Sequence, residues 1–120
     1  MVQWITILII AAILVTLDKG LTAFNIMSLE KNYPKINPYS VEKNPIARAS
    51  FEKFGLFGGT LIYWVLSLIT FLFAVYLFKY PASVFAPNNA LGVSLYVVMM
   101  LYSLVIFNNV YFCLKYNNLI

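Results

Sequence analysis

Two long stretches of this chain, from about Gly55 to Phe78 and from about Ala90 to Leu114, contain no Asp, Glu, Lys or Arg. A third, from about Val2 to Leu29, is apolar apart from threonines over Trp4–Leu17, is broken by Asp18 and Lys19, and resumes through Leu21 to Met27. Each is long enough to cross about 30 Å of hydrocarbon as a helix, which needs about 20 mostly apolar residues. Composition closes the argument. The chain is 62% hydrophobic and 10% charged, whereas soluble domains run at about 45–50% and about 25%. Its polar residues are too few to cover a water-facing surface, so a soluble domain and a disordered chain are both excluded. The runs lack the alternation of a β-barrel. The expected fold is all-α: an integral membrane protein with three transmembrane helices, a single domain over 1–120, with spans at about 2–29, 55–78 and 90–114 and a loop at 30–54.

All five prolines, at 34, 38, 45, 81 and 87, fall between these spans, as helix breakers should. The first span has no basic start and no small-residue cleavage pattern after its apolar core, so it reads as a retained helix and not as a leader. Lys31, Lys35, Lys43, Arg48, Lys53 and Lys115 would lie on one side and Lys79 on the other. The positive-inside rule then predicts a multi-pass plasma-membrane protein with the N-terminus outside and the C-terminus in the cytoplasm. Trp4 and Tyr80 would anchor the outer interface, and Tyr111 and Tyr116 the inner one.

Several chemistries are removed at once. There is no histidine, which disfavours ordinary haem ligation, most catalytic zinc or copper sites and histidine-based triads. The lone cysteine, Cys113, makes no internal disulfide or thiolate cage and reads as a buried, inert thiol. The net charge of +4 is too small an excess to imply nucleic acid and instead reports orientation. No cofactor and no metal are expected.

The loop carries its own signals. Asn44 followed by Pro45 is a helix start, and Ile46, Ala47, Ser50, Phe51 and Phe54 recur at helical spacing, with Arg48 and Glu52 paired at i,i+4. This predicts a short amphipathic helix at the cytoplasmic interface, leading into the second span through Gly55. Gly55 and Gly59 form a G-x-x-x-G pair, a spacing that lets helix backbones approach closely in lipid. Either packing against the first or third helix or an oligomer contact would use it.

Asp18, Thr22 and Asn25 share one face of the first helix. Asp18 lies about 22 Å along it from Gln3, inside the membrane toward the cytoplasmic side. The third helix is expected to run counter to the first in register, and Asn108 and Asn109 lie about 27 Å along it from its outer start. Depth therefore gathers Asp18, Thr22, Asn25, Asn44, Arg48 and Asn108 or Asn109. A carboxylate at the bilayer centre costs at least about 2.5–3.5 kcal/mol. One expectation is that Asp18 pairs with Arg48, or with a snorkelling Lys19, the asparagines bridging helix ends. The other is a cation or proton site. Acid/base chemistry between Asp18 and Glu42 ranks last, since no nucleophile, metal set or phosphate loop accompanies them. Asn44-Pro45-Ile46-Ala47 also has the look of an aquaporin turn, but aquaporins need two such half-helices in six spans.

Asp18-x-x-x-Thr22, Glu42-x-Asn44-Pro45-x-x-Arg48 and the late Asn108-Asn109 pair together resemble an uncharacterised family of small three- to four-span archaeal and bacterial membrane proteins, known only as a domain of unknown function. The resemblance covers most of the chain. This sequence departs from it by a longer loop before Asn44-Pro45. The resemblance implies architecture and a shared polar motif, and no activity. The expected function is a non-catalytic accessory or structural subunit of a membrane complex, its partners being the bilayer and other subunits or itself. The alternative is a homo-oligomeric channel or transporter subunit using Asp18, although Thr60, Ser67 and Thr70 on the second helix and Ser94, Tyr102 and Asn109 on the third make a sparse pore lining.

Overall fold

One face of the first helix sets the architecture. Ile7, Ala11, Val15, Asp18, Thr22, Asn25 and Leu29 recur every three or four residues, the spacing that lines up one side of an α-helix. In the computed structural model, which describes residues 3–41 and 44–119, this side faces inward along the whole of α1, Trp4–Asn32. A single 3₁₀ turn, Pro38–Val41, leads to α2, Pro45–Phe85; a short turn at 86–89 then leads to α3, Ala90–Tyr116. The fold is all-helical, and α1, α2 and α3 are each long and apolar enough to cross a membrane.

Ile7, Ala11 and Val15 pack against Phe71 and Val75 of α2 and Leu95 and Val98 of α3. Farther along, Asp18 and Asn25 of α1 meet Tyr102 and Asn109 of α3. Helices α1 and α3 are therefore parallel, not counter-running as expected. One crossing, α2, separates them, so the chain has reversed twice. Between α2 and the other two helices, Trp64 Nε1 donates to Thr16 Oγ1 at 3.0 Å, and Ser94 Oγ donates to the Val75 carbonyl at 2.5 Å.

The predicted interfacial helix is present as residues 45–54. The Asn44 side chain accepts from the Ile46 amide at 3.0 Å, and Pro45 opens the first turn. At Gly55 the chain takes φ 78° and ψ −176°, a region essentially restricted to glycine. The helix axis breaks there and resumes at 56. The fold-back brings Phe51 onto Gly59: a Cβ on Gly59 would lie 2.6 Å from Phe51 Cδ1 and 2.7 Å from Phe51 Cα. This corrects the reading of the glycine pair. Gly55 is the corner, and Gly59 is the seat for the short helix of its own chain. Phe51 stacks on Tyr39 with centroids 5.7 Å apart and meets Tyr63 edge-on at 6.3 Å. Ala47 and Phe51 join Ile26 in a second small core. Of the predicted apolar face, Ala47, Ser50 and Phe51 are buried, while Ile46 and Phe54 are exposed.

Helix α2 also runs past its predicted end at Phe78 to Phe85, with Pro81 inside it. Proline lacks one amide donor and so removes one ladder bond. Near a helix end that single loss is tolerated. The other four prolines lie outside the helix interiors, Pro45 at the first position of α2.

Candidate functional site

Asp18 sits where the inward face of α1 changes from apolar to polar. It is 1% exposed and Lys19 4%. Lys19 Nζ lies 2.7 Å from Asp18 Oδ2. The same oxygen accepts from Tyr102 OH at 2.7 Å. Asp18 Oδ1 accepts from Asn109 Nδ2. One turn on, Thr22 Oγ1 donates to the Asp18 carbonyl at 3.0 Å and lies 3.4 Å from Asn109 Nδ2. Lys19 Nζ stands 3.4 Å from the centre of the Tyr63 ring, a cation–π contact that adds to the carboxylate in holding the ammonium. A buried carboxylate is tolerated only with a partner and hydrogen bonds, and Asp18 has both.

The polar contact between α1 and α3 continues toward their C-terminal ends. Asn25 Nδ2 donates to the Asn109 carbonyl at 3.0 Å, Asn117 Nδ2 to Ser28 Oγ at 3.0 Å, and Asn32 Nδ2 to the Tyr116 carbonyl at 2.9 Å. Tyr33 OH donates to Asn118 Oδ1 at 3.2 Å. Asn25 is 6% exposed, and its Oδ1 is buried with no hydrogen-bond partner among the described residues.

Asp18, Thr22, Asn25 and Asn109 thus come together as depth predicted. Asn108 lies beside them at the edge of a cavity, on an exposed position. Asn44 caps its own helix and lines a groove that reaches Asp18. Arg48 is not among the partners of Asp18: Lys19 takes that place, and it is buried rather than snorkelling. The reason is proximity along one helix, since the adjacent residue reaches the carboxylate without crossing from the loop. Glu42 lies outside the described residues. Among those residues no group of three or more His, Cys, Asp or Glu converges as a metal site, and Cys113 is a half-buried free thiol.

Tyr102 and Tyr63 are the cluster members that sequence reasoning does not assign to it; Lys19 is one of the two partners expected for Asp18, here buried. Tyr102 had a signal: it lies seven residues before Asn109, two turns along the same face of α3. Tyr63 had none, because its contact depends on the corner at Gly55.

These features define an all-helical protein with three membrane-crossing helices and an ion pair buried among them. No family model, no curated protein and no solved structure matches the chain.

Proposed function

We propose that the protein is a non-catalytic accessory or structural subunit of a plasma-membrane complex. The observation that carries this reading is the closure of the intramembrane charges on one another: Asp18 is held by Lys19, Tyr102 and Asn109 within a single chain. A cluster of this kind fixes how helices pack. An ion path needs a carboxylate that exchanges partners along a polar lining. Here Thr70 and Ser94, at mid-helix, are engaged with the carbonyls of Leu66 and Val75. That weighs against the reading of Asp18 as the site of a homo-oligomeric channel.

Large aromatic side chains stand outside the bundle, among them Phe57, Phe85 and Phe107 at 86%, 87% and 70% exposure. They offer packing surface to lipid or to a neighbouring subunit. The orientation we propose has the N-terminus outside, with the Lys/Arg-rich loop and the C-terminus in the cytoplasm. The likeness to small prokaryotic membrane proteins belongs to the same proposal.

The test is the composition of the particle released from native membrane by mild detergent. A fixed stoichiometry with other chains is expected. A homo-oligomer whose liposome ion flux is lost in Asp18→Asn, at equal inserted protein, overturns the proposal in favour of the channel.

A further inference from the structure

Asp18, Lys19 and Thr22 of α1 and Asn108, Asn109 and Tyr116 of α3 wall a chamber of about 200 Å³. Tyr116 is the last residue of α3, and Asn108 is exposed at the chamber's edge. The chamber therefore begins at the end of the bundle where α1 and α3 finish. From there to Asp18 is a considerable depth: Asp18 to Asn32, the last residue of α1, is about 21 Å of helix. Beyond Asp18 the same stripe turns apolar. Val15, Ala11 and Ile7 are 0% exposed against Phe71, Val75, Leu95 and Val98, and Asp18 to Ile7 is about 16 Å of helix. We propose that the chamber is a water-filled vestibule with one mouth. It brings water to the Asp18–Lys19 pair from the membrane face at which α1 and α3 end, and it stops at the apolar half.

Two polar groups on its wall call for water. An ammonium carries three N–H donors. Asp18 Oδ2 takes one of those of Lys19 and the Tyr63 ring faces the ammonium, and no further acceptor is bonded to it among the described residues. Asn109 turns its amide donor to Asp18 and Thr22. Its Oδ1 has no protein partner among the described residues and, unlike that of Asn25, is not fully enclosed. Water both accepts and donates, so it serves the two groups at once. A volume of about 200 Å³ has room for several waters, and a roomy site with several polar partners is one that water fills. Hydrocarbon in the same space leaves both groups unmet. An inorganic ion gains no net field from a pair whose charges already cancel.

The inference is independent of the subunit reading. The test uses the full chain in oriented vesicles, with Cys113→Ser as background and single cysteines at Thr22, Leu104 and Ala11. The probe is a membrane-impermeant trimethylammonium thiosulfonate, applied to one face at a time. The thiolate is the reacting form and apolar surroundings suppress it, so Thr22→Cys should react at least about tenfold faster than the other two. Leu104 stands outside the bundle at 65% exposure, and Ala11 lies in the apolar half. Reaction at Thr22→Cys should come from one face alone, and Val105→Trp, on the chamber wall, should slow it. A Thr22→Cys rate no faster than that of Leu104→Cys overturns the proposal. Equal rates at Thr22→Cys and Ala11→Cys do the same, because water then passes the apolar half. Circular dichroism separates lost access from lost folding. If Thr22→Cys does not fold, the parent chain decides by NMR: the Lys19 ammonium and the Asn109 amide should cross-relax with water, and absence of both signals overturns the vestibule.

Discussion

The inward face of α1 is one continuous stripe with two chemistries. Its first half, Ile7, Ala11 and Val15, meets Phe71, Val75, Leu95 and Val98 through apolar contacts. Its second half, from Asp18 to Asn32, meets α3 through an ion-paired carboxylate and a series of amide hydrogen bonds. The two halves hold the same helices by different means. In lipid the apolar half has no hydrophobic drive toward its partners, because the tails outside are as apolar as the side chains inside. What selects the native packing there is shape. In the polar half selection is chemical: each donor has a particular acceptor, and a wrong pairing strands a polar group in hydrocarbon. The apolar half should therefore answer to volume, and the polar half to partner identity.

The largest effect should come from breaking the ion pair from one side. Asp18→Leu leaves the Lys19 ammonium buried with the Tyr63 ring but without its counter-charge. Removal of one partner of a buried pair destabilises by about 3–5 kcal/mol, read as a fall in thermal stability in detergent by circular dichroism. Asp18→Leu combined with Lys19→Leu should recover most of that loss, since no isolated charge remains. If single and double variants melt alike, the pair is not what holds this half together.

A second, smaller effect tests the corner that neither half contains. Gly55→Ala forces a Cβ into φ 78°, ψ −176°, at a cost of about 1–3 kcal/mol. The short helix 45–54 should lose its seat on Gly59, and limited proteolysis should then cut within it while α1 and α3 stay protected. Unchanged cleavage would mean that the docking of Phe51 alone sets the corner.

The contrast between the halves also accounts for what could be read from the sequence. The three spans followed from run length and lack of charge, because the bilayer makes any other reading of such runs expensive. The convergence of Asp18, Thr22, Asn25 and Asn109 followed from depth along helices of known rise. Of the two partners expected for Asp18, Lys19 reaches it and Arg48 does not, because depth fixes the height of a side chain and not its azimuth, and the adjacent Lys19 needs no azimuth. The role of Gly59 was hidden for a related reason. Glycine spacing reports that something approaches closely, and only the backbone turn at Gly55 reveals that Phe51 of the same chain is what approaches. The extension of α2 through Pro81 was missed because a proline near a helix end forfeits only one bond.

Within the polar half, Asn109→Leu should cost less than loss of the ion pair, up to about 1.7 kcal/mol, the upper end of measured hydrogen bonds between membrane helices. Asp18 keeps Lys19 and Tyr102 in that variant, and the Asn25 donor keeps the Asn109 backbone carbonyl. The matching change in the apolar half is conservative in chemistry and altered in volume. Ala11→Leu adds three carbons at a site that is 0% exposed between helices, and overpacking of this kind costs about 1–3 kcal/mol. If Ala11→Leu is neutral while Asn109→Leu unfolds the protein, shape does not govern the first half, and the division drawn above fails.

The smallest effect should come from a buried polar contact that lies inside the apolar half. Ser94 is 0% exposed, and its hydroxyl donates to the Val75 carbonyl at 2.5 Å. By burial alone this bond looks as important as those around Asp18. The difference lies in what its removal leaves behind. The Val75 carbonyl belongs to the hydrogen-bonded ladder within α2, so Ser94→Ala strands no acceptor, and alanine closes most of the space the serine filled. The expected loss is about 0.6 kcal/mol, the average for such bonds in membrane helices, measured by the same thermal unfolding in detergent. A loss as large as that of Asn109→Leu would show that a hydrogen bond is worth the same in either half. Partner identity would then govern the whole stripe, and the apolar residues of α1 would only fill the space between its polar contacts.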